Sequence, residues 1–93
     1  MNIRKKLRKQ HVVFLRWMVS QYGKQIKRTQ FAEIGFEFKH PKQTICNYMQ
    51  RLEETGCVHV EVVSPRKRTI TIDIDKCNEQ LNLLGEELLN VKK

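Results

Sequence analysis

Residues 42–50 of the chain read KQTICNYMQ, and residues 66–68 read RKR. A helix through the first stretch would gather Lys42, Gln43, Asn47 and Gln50 on one face, because their spacings of one, four and three follow the helical repeat. An amide side chain carries a donor and an acceptor together, which suits it to a two-point hydrogen bond with a base edge, above all adenine. In the second stretch Arg66, Lys67 and Arg68 form a row of cations fit to follow phosphates. No reaction centre competes with these groups. Glu53 and Glu54 belong to a helix exit, the glycines are scattered, and no Ser or Cys nucleophile has a His at a telling distance. His11, His40 and His59 share no ligand spacing. Neither catalysis nor a cofactor or metal ion is expected.

The charge points the same way. The 93 residues hold 18 Lys+Arg against 10 Asp+Glu, a net charge of +8, as expected of a chain that binds a polyanion. Residues 1–28 contain nine of the cations, Lys27 and Arg28 among them, and no acid. Nucleic acid is the leading partner. At 40% hydrophobic and 30% charged, the composition is that of one folded domain. The apolar run VVFL-R-WMV is broken by Arg16 and is too short to span a bilayer, and no secretion-signal pattern opens the chain. The expected location is the cytoplasm, with Cys46, Cys57 and Cys77 as reduced thiols.

The elements that must hold the two clusters can be read from periodicity. Ile3, Leu7, Phe14, Met18 and Tyr22 recur at helical spacing, so a basic helix is expected over 3–22, ending at Gly23. Thr29 is expected to cap a second helix bearing Phe31, Ile34 and Phe38, with Gly35 allowing a neighbour to approach closely. The box it would form is incomplete, since Ala32 stands where Glu or Gln is needed. Pro41 suits the first turn of a third helix, in which Ile45, Met49 and Leu52 make the buried stripe and Gly56 the stop. Val58, Val60 and Val62, then Ile70, Ile72 and Ile74, alternate with polar residues as two strands of a hairpin with the cations at its tip. Asp75 is expected to cap a final helix over 75–91. The first and last helices carry more apolar residues than one face needs, so Phe14, Trp17, Met18, Leu81, Leu84, Leu88 and Val91 are expected to bury against a second copy of the chain.

The segment TICNYMQRLEETGCV resembles the recognition helix of bacterial and archaeal winged-helix transcription regulators, in which RLE leads through two loose positions to a Gly and an apolar pair that opens the wing. The resemblance covers about residues 25–74. It departs from the pattern at Lys39 and His40, where a Gly and an apolar residue are commoner, and at Asn47, where many relatives carry Arg. It implies an α+β, mostly helical fold of the winged helix-turn-helix type in a single domain over 1–93: helix 3–22, helix-turn-helix 29–56, wing 57–74 and C-terminal helix 75–91.

On this reading the chain is expected to be a homodimeric, sequence-specific regulator of transcription, most simply a repressor. Gln43, Thr44, Cys46 and Asn47 would read bases, while Lys42, Gln50, Arg66, Lys67, Arg68, Lys27 and Arg28 would hold the backbone. Asn47 in place of Arg favours A·T over G·C. Neither a membrane contact nor a small-molecule effector is expected. The alternative is a winged-helix module that docks an acidic protein within a transcription or replication complex. Single-strand binding is disfavoured, because the aromatic residues fall on helical stripes rather than on an open platform.

Overall fold

The computed structural model describes residues 7–89. Four helices and a three-stranded antiparallel sheet follow one another as α1 (Lys9–Tyr22), β1 (Gln25–Thr29), α2 (Phe31–Phe38), α3 (Lys42–Glu54), β2 (Val58–Ser64), β3 (Lys67–Ile72) and α4 (Ile74–Leu83). The sheet order is β1-β3-β2, so β3 is central. The architecture is α+β.

α1 starts at Lys9, later than its periodicity suggests; residues 3–6 of the expected helix lie outside the described residues. The start has a local cause. The Arg8 backbone N–H donates to His11 Nδ1 at 2.9 Å, closing the first turn on the imidazole. His11 is buried and sits edge-on to Tyr48 at 5.3 Å. Val12, Phe14, Leu15 and Met18 are buried along the same helix. Phe14, Met18 and Leu81 are each 0% exposed. They are core residues of this chain, which corrects their assignment to a contact with a second copy. Trp17 is half-buried against Phe38, with ring centroids 4.8 Å apart. Leu84 and Leu88 stay exposed, and Val91 lies outside the described residues.

β1 was not anticipated. QIKRT has one buried residue, Ile26, too little to show a period of two. The strand forms because its partner is ready: Ile26 pairs with Ile70 and Gln25 with Thr71 on β3. A bulge between Ile26 and Thr29 ends the regular pairing, and there Arg28 adopts a positive φ of 52°. With Thr29 in the strand, the cap of α2 moves one residue on, to Gln30, whose N–H donates to Glu33 Oε1 at 2.9 Å. The shift brings a Glu to the third helical position and completes what the Thr29 register left open.

α3 follows its stripe, with Ile45, Met49 and Leu52 buried. Pro41 is the cap itself rather than the first helical residue. At the far end Gly56 has φ 81°, and the Cys57 N–H reaches back to Leu52 O at 2.9 Å, the six-to-one bond of a glycine-terminated helix. The turn before α3 is tight. Lys39 takes the left-handed conformation (φ 62°, ψ 43°), and a Cβ on Gly35 would stand 2.6 Å from His40 O and 3.2 Å from Ile45 Cγ1.

The hairpin pairs Val58 with Ile72 and Val60 with Ile70; Val58, Ile70 and Ile72 are buried and Val60 half-buried, while Val62, nearer the turn and opposite Arg68, is exposed. Ile74 opens α4 instead of extending β3. Asp73, not Asp75, caps that helix by accepting the Lys76 N–H at 3.1 Å. α4 ends at Leu83, short of the expected 91. Gly85 (φ 72°) turns the chain back, where Leu89 N–H donates to Asn78 Oδ1 at 2.7 Å and Arg16 pairs with Glu86 at 3.8 Å.

Two outcomes follow. Gly35→Ala should destabilise the fold by roughly 1–3 kcal/mol in denaturant unfolding, because backbone stands where the new methyl must go; unchanged stability would show that α2 and α3 are not in contact there. His11 is held below the ordinary histidine value, first by burial and then by Arg51 and Arg8. The unfolded chain therefore takes up the proton more readily. Stability should fall as pH drops below about 6.5. In thermal melts His11→Gln, which keeps an acceptor for Arg8, should remove that part of the acid sensitivity.

Candidate nucleic-acid interface

The stripe that buries Ile45, Met49 and Leu52 turns the opposite side of α3 outward. Lys42, Gln43, Asn47 and Gln50 are exposed there, and Thr44 and Cys46 are half-buried at its margin. Gln43 Nε2 donates to Asn47 Oδ1 at 3.2 Å across one helical turn. This bond uses one of the two donor hydrogens of Gln43 and one acceptor position of Asn47. Both amides keep a donor and an acceptor for a ligand, and the bond limits their rotamers in advance of any contact. Asn47 and Gln50 also line a shallow depression of about 260 Å3 with Arg51 and Glu54.

The cations are distributed differently from the sequence expectation. The hairpin turn consists of Pro65 and Arg66, while Lys67 and Arg68 lie in β3. Only Arg66 is at the tip. Lys67 Nζ is 3.9 Å from Glu33 Oε1, and the Arg68 guanidinium lies 4.8 Å over the Phe31 ring. These contacts tie the turn end of the hairpin to α2.

The tie creates a pocket. Gln30, Phe31 and Ala32 from the start of α2, Lys42 from the start of α3, and Pro65, Arg66 and Arg68 from the hairpin enclose about 290 Å3. Three cations and the N-terminal end of a helix converge on it, so the pocket suits an anion. Lys42, Arg66 and Arg68, all expected to hold the backbone, are brought together. Lys27 and Arg28 are not; they stand exposed on β1, beside the Thr29 that pairs with Arg68, and do not line the pocket. Sequence reasoning missed Gln30 and Phe31. The Gln30–Glu33 spacing of a capping box was the available signal, and it was masked by the better cap residue Thr29 one position earlier.

The remaining thiols take no part. Cys57 and Cys77 are buried, and the Cys77 thiol is held far above the ordinary range by its hydrogen bond with Cys57 and by burial. Among the described residues no cluster of His, Cys, Asp and Glu is placed to hold a metal ion, and no helix is long and apolar enough to cross a membrane. Comparison with protein-family models, with curated proteins and with solved structures found no match for this chain.

If the outer row of α3 serves a ligand rather than the fold, its removal should leave the fold intact. Replacing Gln43, Asn47 and Gln50 by Ala one at a time should change unfolding free energy by no more than about 0.5 kcal/mol each. Ile45→Ala, on the inner face, should cost roughly 2–5 kcal/mol. An Asn47→Ala loss as large as that of Ile45→Ala would mark the row as structural.

Proposed function

We propose that the chain is a winged helix-turn-helix protein that binds double-stranded DNA in a sequence-specific manner and regulates transcription. The observation that carries this reading is the exposed Gln43–Asn47 amide pair on α3 beside the three-cation pocket of Lys42, Arg66 and Arg68. The major groove, about 12 Å wide, admits one helix, and bidentate amide contacts there discriminate between base pairs. α3 enters the groove with Gln43 and Asn47 toward base edges and Thr44 and Cys46 at the margin. A backbone phosphate occupies the pocket, so that the hairpin acts as the wing. Gln50, at the other end of the row, meets the backbone further along, and Lys27 and Arg28 add to the general attraction.

The chain acts as a homodimer, with Leu84 and Leu88 among the exposed apolar residues at and after the end of α4, Leu83 being another. Two-fold symmetry places two copies of α3 in successive major grooves about 34–36 Å apart and calls for a pseudo-palindromic site. Bound at a promoter, such a dimer represses by occupying it.

The test is selection of bound duplexes from a random pool, followed by titration of the selected site across salt concentrations. A recurrent motif is expected. Asn47→Ala should relax preference at one position per half-site, at roughly 1–3 kcal/mol. Arg66→Ala should weaken all sequences alike and reduce the salt slope by about one counterion per lost phosphate contact. A pool without enrichment, or an Arg66→Ala chain with the parent's salt slope, would contradict the reading.

A further inference from the structure

α2 has an outer side that the contact with DNA leaves unused. Its inner residues Ile34 and Gly35 are buried, while Ala32, Glu33, Phe36 and Glu37 face outward. Phe36 is 86% exposed, the highest value for a large hydrophobic side chain among the described residues. Beside it lies an open groove of about 410 Å3, lined by Tyr22, Thr29, Ala32, Glu33, Phe36 and Glu37. The groove thus combines an aromatic wall with two carboxylates.

Its charge runs against that of the chain. α2 carries Glu33 and Glu37 and no Lys or Arg, within a sequence of net charge +8. Glu33 is occupied by the Gln30 N–H and by Lys67. Glu37 accepts the Tyr22 hydroxyl, and among the described residues no cation pairs with it. A carboxylate fixed by a neutral donor, next to an exposed phenyl ring, presents negative charge and apolar surface at one point. Phosphates are repelled there, and lysine or arginine near an apolar side chain is attracted.

We propose that this face docks a segment of a partner protein in which a lysine or arginine flanks an apolar anchor, the anchor lying on Phe36 in the groove and the cation meeting Glu37. The lining of the groove shares only Ala32 with that of the Lys42–Arg66–Arg68 pocket and nothing with the outer row of α3. Partner and duplex therefore bind together, which gives a one-domain regulator a means of contacting other proteins while on DNA. The joint occupancy rests on the DNA reading; the docking itself does not.

The experiment uses the full chain, isotope-labelled, at low ionic strength and without DNA, titrated with a short peptide alternating lysine and leucine and, separately, with its glutamate–leucine counterpart. The cationic peptide should bind saturably despite the positive charge of the chain. It should shift the amide signals of Tyr22, Thr29 and residues 32–37 and leave the side-chain amides of Gln43 and Asn47 unmoved. Phe36→Ser, at an exposed position that the fold does not need, should weaken binding about tenfold, and Glu37→Gln should flatten its salt dependence. Absence of groove shifts, equal binding by the Phe36→Ser chain, or the same shifts produced by the anionic peptide would overturn the docking. Concentration-dependent shifts of these residues in the chain alone would assign the face to a second copy and overturn it too. A duplex added last should leave the peptide in place; displacement would overturn joint occupancy alone.

Discussion

The contact between α2 and α3 at Gly35 sets the geometry on which the rest depends. No side chain separates the helices there, because the space that a Cβ would need is taken by the His40 carbonyl and Ile45. Lys39 accepts a left-handed backbone to make so short a turn, a conformation that costs an L-residue about 1–2 kcal/mol. The strain is offset by burial: Ile34, Ile45, Met49 and Leu52 enter one core with Phe14, Leu15 and Met18 of α1. Because the stripe of α3 is locked inward, its amide row has one direction left. The same packing places Lys42 at the start of α3 where the hairpin can reach it, so a buried glycine determines where an exposed charge stands.

Groups of opposite charge meet along α2 in this arrangement. Lys42, Arg66 and Arg68 converge on the pocket at its start, while its outer side carries Glu33 and Glu37. Lys67 and Arg68 mark the boundary, each held by a residue of α2. Such exposed or half-exposed pairs are individually worth only about a kcal/mol or less. Their effect here is positional: they hold the turn end of the hairpin close to α2, which is what closes the pocket around Arg66, Arg68 and Lys42.

Much of this was legible in the residues. Ile45, Met49 and Leu52 and the Gly56 stop defined α3 almost to its ends, since a long amphipathic period is a strong signal. The hairpin was equally clear from Val58, Val60, Ile70 and Ile72. The losses came where local preference and tertiary pairing disagree. Thr29 is a better helix cap than Gln30, yet the pairing of Ile26 with Ile70 draws Thr29 into a strand and shifts α2 by one residue. Asp75 was read as the cap of the last helix, but β3 ends at Ile72 and α4 follows at once, so Asp73 takes that place. The apolar excess of α1 and α4 suggested a second chain, but Phe14, Met18 and Leu81 are consumed by the core of a small domain whose sheet has three strands rather than two. The pocket was beyond reach for the same reason. It depends on the hairpin, α2 and α3 meeting in space, while the sequence separates Gln30 from Arg68 by more than a third of the chain.

The most direct measurement is the response of individual nuclei when a selected duplex is added to the labelled chain. The side-chain amide signals of Gln43 and Asn47 and the guanidinium signal of Arg66 should move together and saturate at one copy of α3 per half-site. Signals from Phe36 should stay where they are. Saturable binding that shifts α4 and residues 84–89 while leaving the Gln43 and Asn47 amides untouched would contradict it, for the outer row of α3 would then not be the surface that meets DNA.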